Sequence, residues 1–306
     1  MNIRLVIRDS SGASFASDNV LRFTFRKDAY VPYTALTVRA VMDADITDAA
    51  EVKLYIGSRL IHHGLADSVR SVYSGGKRIV SASSRGFTSL LCQNQIPPGL
   101  KTGVSLNSLM NGYYLLPNVT HEDNSDVDNY IYVDKNSTMW DGIANLCFRL
   151  NGRYPYIRGA NNVRITPVAP PRMFEYTASQ LLSTGTELTG RRLISNFHMA
   201  DIAGEYGTYE LQDDDAISMK VIRHKFFDLD MEFLRDPDNA LVYRDNIASR
   251  GKKHIFCSYS GYNGEDLSDV LSFGAYTEKR ISTLKVTGSS SGVITEVGFY
   301  EDKFPH

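Results

Sequence analysis

Cysteine is scarce in this chain of 306 residues and tryptophan scarcer still, with three Cys and one Trp. Cys92, Cys147 and Cys257 lie far apart, form no C-x-x-C pair and are odd in number, which argues against a disulfide framework. Reduced synthesis in the cytoplasm of the producing cell is the simplest reading of that usage. No apolar run approaches the length of a membrane span. Met1 is followed at once by strand-like Ile3-Arg4-Leu5-Val6-Ile7, without the n-region and apolar h-region of a secretory leader. Positive charge is not in excess either. Lys+Arg number 33 against 35 Asp+Glu, a net charge of -2, so no global basic field predicts stable nucleic-acid binding.

Chemical motifs are equally sparse. The chain has neither the G-x-x-x-x-G-K-[ST] nor a strand-borne G-x-G-x-x-G signature of nucleotide binding. His62-His63 is the one histidine doublet, and adjacent strand residues point to opposite faces, so the two rings are ill placed to share a metal. His121, His198, His224, His254 and His306 are scattered without zinc-ligand spacing. Gly288-Ser289-Ser290-Ser291-Gly292 fits the G-x-S-x-G expression, but it lies between two strand-like runs instead of between a strand and a helix, as turn chemistry would place it. The run Glu122 to Asn129 offers oxygens without the glycine and distal Glu of an EF-hand loop, and Asp213-Asp214-Asp215 reads as a solvated hairpin tip. Dispersed carboxylates of a glycoside hydrolase leave no local signature to test. The expectation is therefore no catalytic, cofactor-binding or metal residue, no cofactor and no enzyme.

What the chain does have is strand rhythm and tyrosine. Aromatic residues make up 11%, with 18 Tyr and 14 Phe, a usage that suits strands and interfaces. Ile3 to Arg8, Val20 to Phe25, Ala35 to Met42, Glu51 to Ile56, Arg59 to Tyr73 and Arg78 to Ser83 are rich in β-branched or aromatic residues and separated by turn residues. Gly57-Ser58 is a two-residue hairpin signal. These runs fit a small antiparallel barrel or sandwich, closed by a short helix at Gly86 to Cys92 before Pro97-Pro98-Gly99. Residues 101–170 form a small α/β unit: Tyr130 to Val133 as a strand, a cap at Asn136-Ser137-Thr138, a helix over Met139 to Leu150 stopped at Asn151-Gly152, then strands at Tyr154 to Ile157 and Asn162 to Thr166. From 171 onward, strands are expected at Leu193 to Ala200, Thr208 to Gln212, Ile217 to Phe226, His254 to Tyr259, Ile281 to Thr287 and Val293 to Tyr300. A helix within Asp228 to Arg250 is interrupted at Asp236-Pro237-Asp238. The plan is mainly β (α+β), with domains at 1–100, 101–170 and 171–306.

Charge is banded. Residues 149–192 hold seven Arg, no Lys and two Glu, whereas residues 201–240 hold eleven acids against four bases. Such bands are either solvated faces or opposite patches that meet in an oligomer.

The run Glu51 to Asp67, with Gly75-Gly76-Lys77-Arg78-Ile79-Val80 and Ser84-Arg85-Gly86-Phe87-Thr88-Ser89-Leu90-Leu91, resembles the N-terminal barrel of baseplate hub proteins. These belong to contractile phage tails and related contractile injection systems, the late control protein D or tail-tube-like hub family. Thr138-Met139-Trp140-Asp141-Gly142-Ile143-Ala144 with Pro155 to Asn161 is similar to that family's middle unit, and also to the peptidoglycan-binding LysM pattern. Ile281 to Leu284 and Val293 to Tyr300 look like the closing hairpin of a second barrel. The resemblance implies two tail-tube-like antiparallel β-barrel modules per chain and a homotrimer forming a pseudo-sixfold ring. It implies tail tube proteins, a spike protein and other baseplate proteins as partners, and assembly into the tail baseplate of a virion or phage-tail-like particle. DNA or protein cargo would pass through its lumen, which the acidic 201–240 band is then expected to face. The rival readings are a carbohydrate- or cell-wall-binding module and another tail component, such as a tube or distal-tail protein.

Overall fold

A computed structural model describes residues 2–113, 115–229 and 236–305. The first stretch carries β1 (Ile3–Arg8), β2 (Ser14–Ser17), β3 (Val20–Asp28), β4 (Ala35–Met42), β5 (Glu51–Ile56), β6 (Arg59–Ser74) and β7 (Lys77–Gly86), then a 3₁₀ turn at Phe87–Cys92. The middle holds β8 (Gly99–Val104), α1 (Leu106–Gly112), β9 (Thr120–His121), β10 (Asp128–Val133), α2 (Met139–Asn151), β11 (Tyr156–Arg158) and β12 (Asn162–Arg164). There follow β13 (Met173–Tyr176), β14 (Leu181–Leu188), β15 (Asn196–Met199), β16 (Tyr209–Gln212), α3 (Asp214–Ser218), β17 (His224–Phe227) and α4 (Pro237–Ser249). The chain closes with β18 (Lys253–Ser260), β19 (Val270–Phe273), β20 (Tyr276–Arg280), β21 (Thr283–Ser289) and β22 (Gly292–Tyr300).

The protein is mainly β, as its sequence predicts. Along β4 the residues alternate, Leu36, Val38, Ala40 and Met42 buried and Thr37 and Arg39 on the other face, because successive strand side chains point to opposite sides. Gly57, at φ 60, makes the two-residue turn that sets Ile56 opposite Arg59. Thr138 caps α2 by accepting from the backbone of Asp141, and Gly152 ends it in the left-handed region at φ 68.

Strands from the two ends of the chain share one sheet. Its eleven strands run in the order β14-β18-β22-β21-β3-β4-β7-β6-β5-β1-β2. The join is β3 against β21, antiparallel from Asp28 opposite Thr283 to Arg22 opposite Ser289. One core accordingly lies against both parts, with Phe23, Phe25, Leu36 and Val80 packed in the same cluster as Leu284, Val286, Val297 and Phe299. A second core gathers Trp140, Ile143, Leu146 and Cys147 of α2 with Ile131, Ile157 and Val163. A third joins Phe197, Met199, Leu241, Tyr243 and Phe304.

The three segments meet around buried charge. Lys27, 6% exposed, turns to the core side of β3, where its ammonium donates to the carbonyl of Gly159 at 2.7 Å and ion-pairs with Asp266. Burial lowers its pKa and Asp266 opposes that shift. Fully buried Asp269 accepts from Arg158 at 2.7 Å and Arg172 at 2.5 Å. Nearby, Asn161 donates to the His63 carbonyl at 2.9 Å, and His62 lies between Thr34 and Ser84, 2.8 Å from each.

Two expected elements are overturned. Asp236-Pro237 starts α4 instead of interrupting a helix: the Asp236 side chain accepts from the Asn239 N–H, and Pro237 occupies the first turn, where its missing N–H costs nothing. Of the helix expected over Asp228 to Arg250, residues 230–235 lie outside the described residues. The strand expected over Ile217 to Phe226 is split, since Asp213 accepts from the N–H groups of Asp215 and Ala216 and nucleates α3, and Lys220 then reverses the chain at φ 62. Only His224 to Phe227 remains extended.

Replacing Asp266 by Ala strands the Lys27 ammonium in the interior and is expected to cost about 3–5 kcal/mol, read from the urea midpoint. The double variant Lys27→Met/Asp266→Leu should recover most of that loss; a single variant costing under about 1 kcal/mol would show that the pair does not hold the segments. Burial, with His63 adding to it, lowers the His62 pKa from 6.5 to about 3. The unfolded chain therefore takes a proton that the folded chain refuses, so stability present above pH 6.5 should drain away as pH falls towards about 3. His62→Gln should flatten that dependence between about pH 7 and 4; an unchanged slope would place the acid sensitivity elsewhere.

Candidate assembly surfaces

Among the described residues no group of three or more His, Cys, Asp or Glu is placed to hold a metal ion. His62 and His63 serve different partners, as their opposed faces predict; His63 meets Glu51 at 2.9 Å and packs edge-on to Phe87. His121 hydrogen-bonds the Glu122 carbonyl at 2.7 Å and His254 the Thr283 hydroxyl at 2.7 Å. His198 bridges Glu210 at 2.9 Å and His224 at 3.0 Å, while His306 lies outside the described residues. Ser289 pairs with Gly292 across the two-residue tip of the β21–β22 hairpin, with no helix following, so the G-x-S-x-G run is a turn. Cys92, Cys147 and Cys257 are free thiols. No helix among the described residues is long and apolar enough to cross a membrane.

The acidic candidates are spent internally. Glu122 accepts from the N–H groups of Ile165 and Thr166 at 2.7 and 2.8 Å and pairs with Arg164 at 2.6 Å. Asp213 is not at a solvated hairpin tip: β15 lies between β16 and β17, and Asp213, 3% exposed, caps α3 and meets Lys303 at 3.1 Å. Asp215 pairs with Lys252 at 2.6 Å. Four of the seven arginines in the basic band are spent likewise, Arg149 on Asp128, Arg164 on Glu122, and Arg158 and Arg172 on Asp269. That part of the charge expected to join two copies joins parts of one.

Open strand edges remain. β14 pairs with β18 on one side and with no strand on the other among the described residues. It is eight residues long, carries one charge, Glu187, and no proline, and exposes Leu182 by 60% and Leu188 by 67%. Beyond Leu65, where the pairing with β5 stops, the distal half of β6 pairs only with β7, and Tyr73 on it is 70% exposed. These two edges bound a run of eight strands, β14-β18-β22-β21 and β3-β4-β7-β6. An edge that is long, apolar and unblunted is a template for another chain. Sequence reasoning missed β14, because Leu181 to Leu188 is rich in Ser, Thr and Gly and lacks an alternating apolar face.

Neither a protein-family model nor a curated protein matches the sequence. Solved structures do. The 43 kDa tail protein of prophage MuSo2 from Shewanella oneidensis superposes with a TM-score of 0.69 at 10% identity, over 97% of this chain and 98% of that one. The chain has the fold of phage tail proteins. The tail protein of Neisseria meningitidis MC58 shares this tail-protein fold at a TM-score of 0.66 and 13% identity, over 97% and 96% of the two chains. So does the E. coli c3393 protein, a type VI secretion component with structural similarity to T4 bacteriophage tail proteins gp27 and gp5, with a TM-score of 0.54 at 7% identity over 94% and 75%.

The acidic band gives a contrast to measure. Asp213→Ala removes a helix cap and a buried partner of Lys303 and should cost at least about 1 kcal/mol. Asp214→Ala, on an exposed side chain of the same triplet, should stay within about 0.5 kcal/mol. Equal thermal shifts would contradict the buried cap.

Proposed function

We propose that the chain is the baseplate hub subunit of a contractile phage tail or phage-tail-like injection machine. Three copies close a pseudo-sixfold ring that joins the tail tube to the central spike, and the chain performs no catalysis. The observation that carries this reading is the eight-strand run, made of two four-strand halves joined at β3 and β21, with β14 unpaired at one end and the half of β6 beyond Leu65 unpaired by β5 at the other. Edges of different sequence pair head to tail, and a head-to-tail contact closes a ring when its rotation permits. Three chains then present six halves, a shape suited to meet a sixfold tube on one side and a threefold spike on the other. Residues 1–100 and 171–306 supply the barrel modules, and 101–170 the α/β unit beside them. The likeness to tail proteins of two bacteria and to a type VI secretion component supports the same role.

Light scattering of the purified chain, alone and with the spike protein of the same machine, tests it. The expected result is a mass of three chains in at least one condition, abolished by Leu182→Lys/Leu188→Lys without loss of thermal stability. A single-chain mass in both conditions would sink the proposal.

A further inference from the structure

The free face of the sheet carries an arrangement that neither folding nor ring closure explains. Pairing sets Arg22 opposite Arg39, Arg39 opposite Ser81, and Ser81 opposite Arg70. One row therefore crosses β3, β4, β7 and β6, with Phe23, Val38, Ala82 and Val69 alternating to the core side. The next row is Thr24, Thr37, Ser83 and Ser68, all hydroxyls. Together they line an open basin of about 400 Å³ to which no carboxylate contributes.

The basin gathers three arginines with no carboxylate among its lining residues. Arg85, Arg149, Arg158, Arg164 and Arg172 each have a carboxylate partner. Among the described residues, Arg22, Arg39 and Arg70 have no ion pair, and the Nε of Arg39 is buried without a hydrogen-bond partner. Like charges directly opposite on neighbouring strands destabilise a sheet. Arg22 faces Arg39 in that relation, and an anion lying across the row would turn the repulsion into attraction.

We propose that this row binds the phosphodiester backbone of a nucleic acid. Strands about 4.8 Å apart spread the three guanidinium groups over about 14 Å, an extended track instead of a pocket for one small anion. Arginine and Ser/Thr hydroxyls are the side chains that hold phosphate oxygens without reading bases. No exposed aromatic ring lines the basin to stack a base, so binding is independent of sequence. The overall charge of -2 does not oppose it, since the row creates a local field. The row belongs to a single chain, so this inference goes beyond the ring reading and does not rest on it. Failure of either leaves the other standing.

The test is fluorescence anisotropy of labelled single-stranded and duplex DNA of about 20 nucleotides, from about 50 mM salt upward. Wild type should bind both without sequence preference, with affinity falling steeply as salt rises. The triple variant Arg22→Gln/Arg39→Gln/Arg70→Gln should weaken binding at least about tenfold and reduce the slope of log K against log salt by about 2–3. Its thermal midpoint should equal or exceed that of wild type, because the opposed charges are gone, and Arg70→Gln alone, at an exposed position, should lower the slope by about 1. No binding by wild type at the lowest salt would overturn the proposal, as would a triple variant that binds like wild type. So would competition by poly-glutamate as effective as by unlabelled DNA, which would reassign the row to an acidic protein segment.

Discussion

Lys27 sits on the core face of a central strand, where a hydrophobic residue would ordinarily stand, and everything around it is arranged to tolerate its charge. Its ammonium reaches Asp266 from the C-terminal part of the chain and the Gly159 carbonyl from the middle unit. The Gly159 N–H donates back to Asp266 at 2.7 Å, and Asp269 beside it gathers Arg158 and Arg172. A buried ion pair is weak evidence for net stability, but one left without its partner is strongly unfavourable. Such a cluster penalises any relative placement of the three segments that separates the charges. The β3–β21 pairing and the common apolar core supply the stabilisation, and the charges select among the packings that could deliver it.

With that junction fixed, the strands of both chain ends share one eleven-stranded sheet. One face is covered by the core and the other is left polar, with arginines and hydroxyls in rows. Among the described residues no strand lies beyond β14, whereas β6 continues into β5 and Asp45 accepts from Ser71 on its distal half.

Strands such as β4 and β5 were legible in the sequence because alternation is local, and the β5–β6 and β21–β22 turns because glycine or serine marks them. α2 was legible from its Thr138 cap, its one-sided apolar face and Gly152. What failed were elements whose state is decided elsewhere. Leu181 to Leu188 is a strand because β18 offers it a partner, and Gly99 to Val104 because β10 does. Asp213 looked like part of a solvated triplet, yet one of its carboxylate oxygens caps α3 and the other meets Lys303. The pairing of β3 with β21, more than 250 residues apart, has no local signal at all. The arginine row became visible only once register placed Arg22 beside Arg39.

The central claim is that the open edge of β14 in one copy pairs with the distal edge of β6 in the next. It is tested most directly by replacing Cys92 and Cys257 with serine, placing cysteines at Thr184 and Ser71, oxidising the assembled protein and separating the products under denaturing conditions. Closed pairing predicts products of two and three linked chains with nothing larger, and no cross-link when either cysteine is present alone. A ladder continuing beyond three chains, or no cross-link in protein that still assembles, would contradict the account.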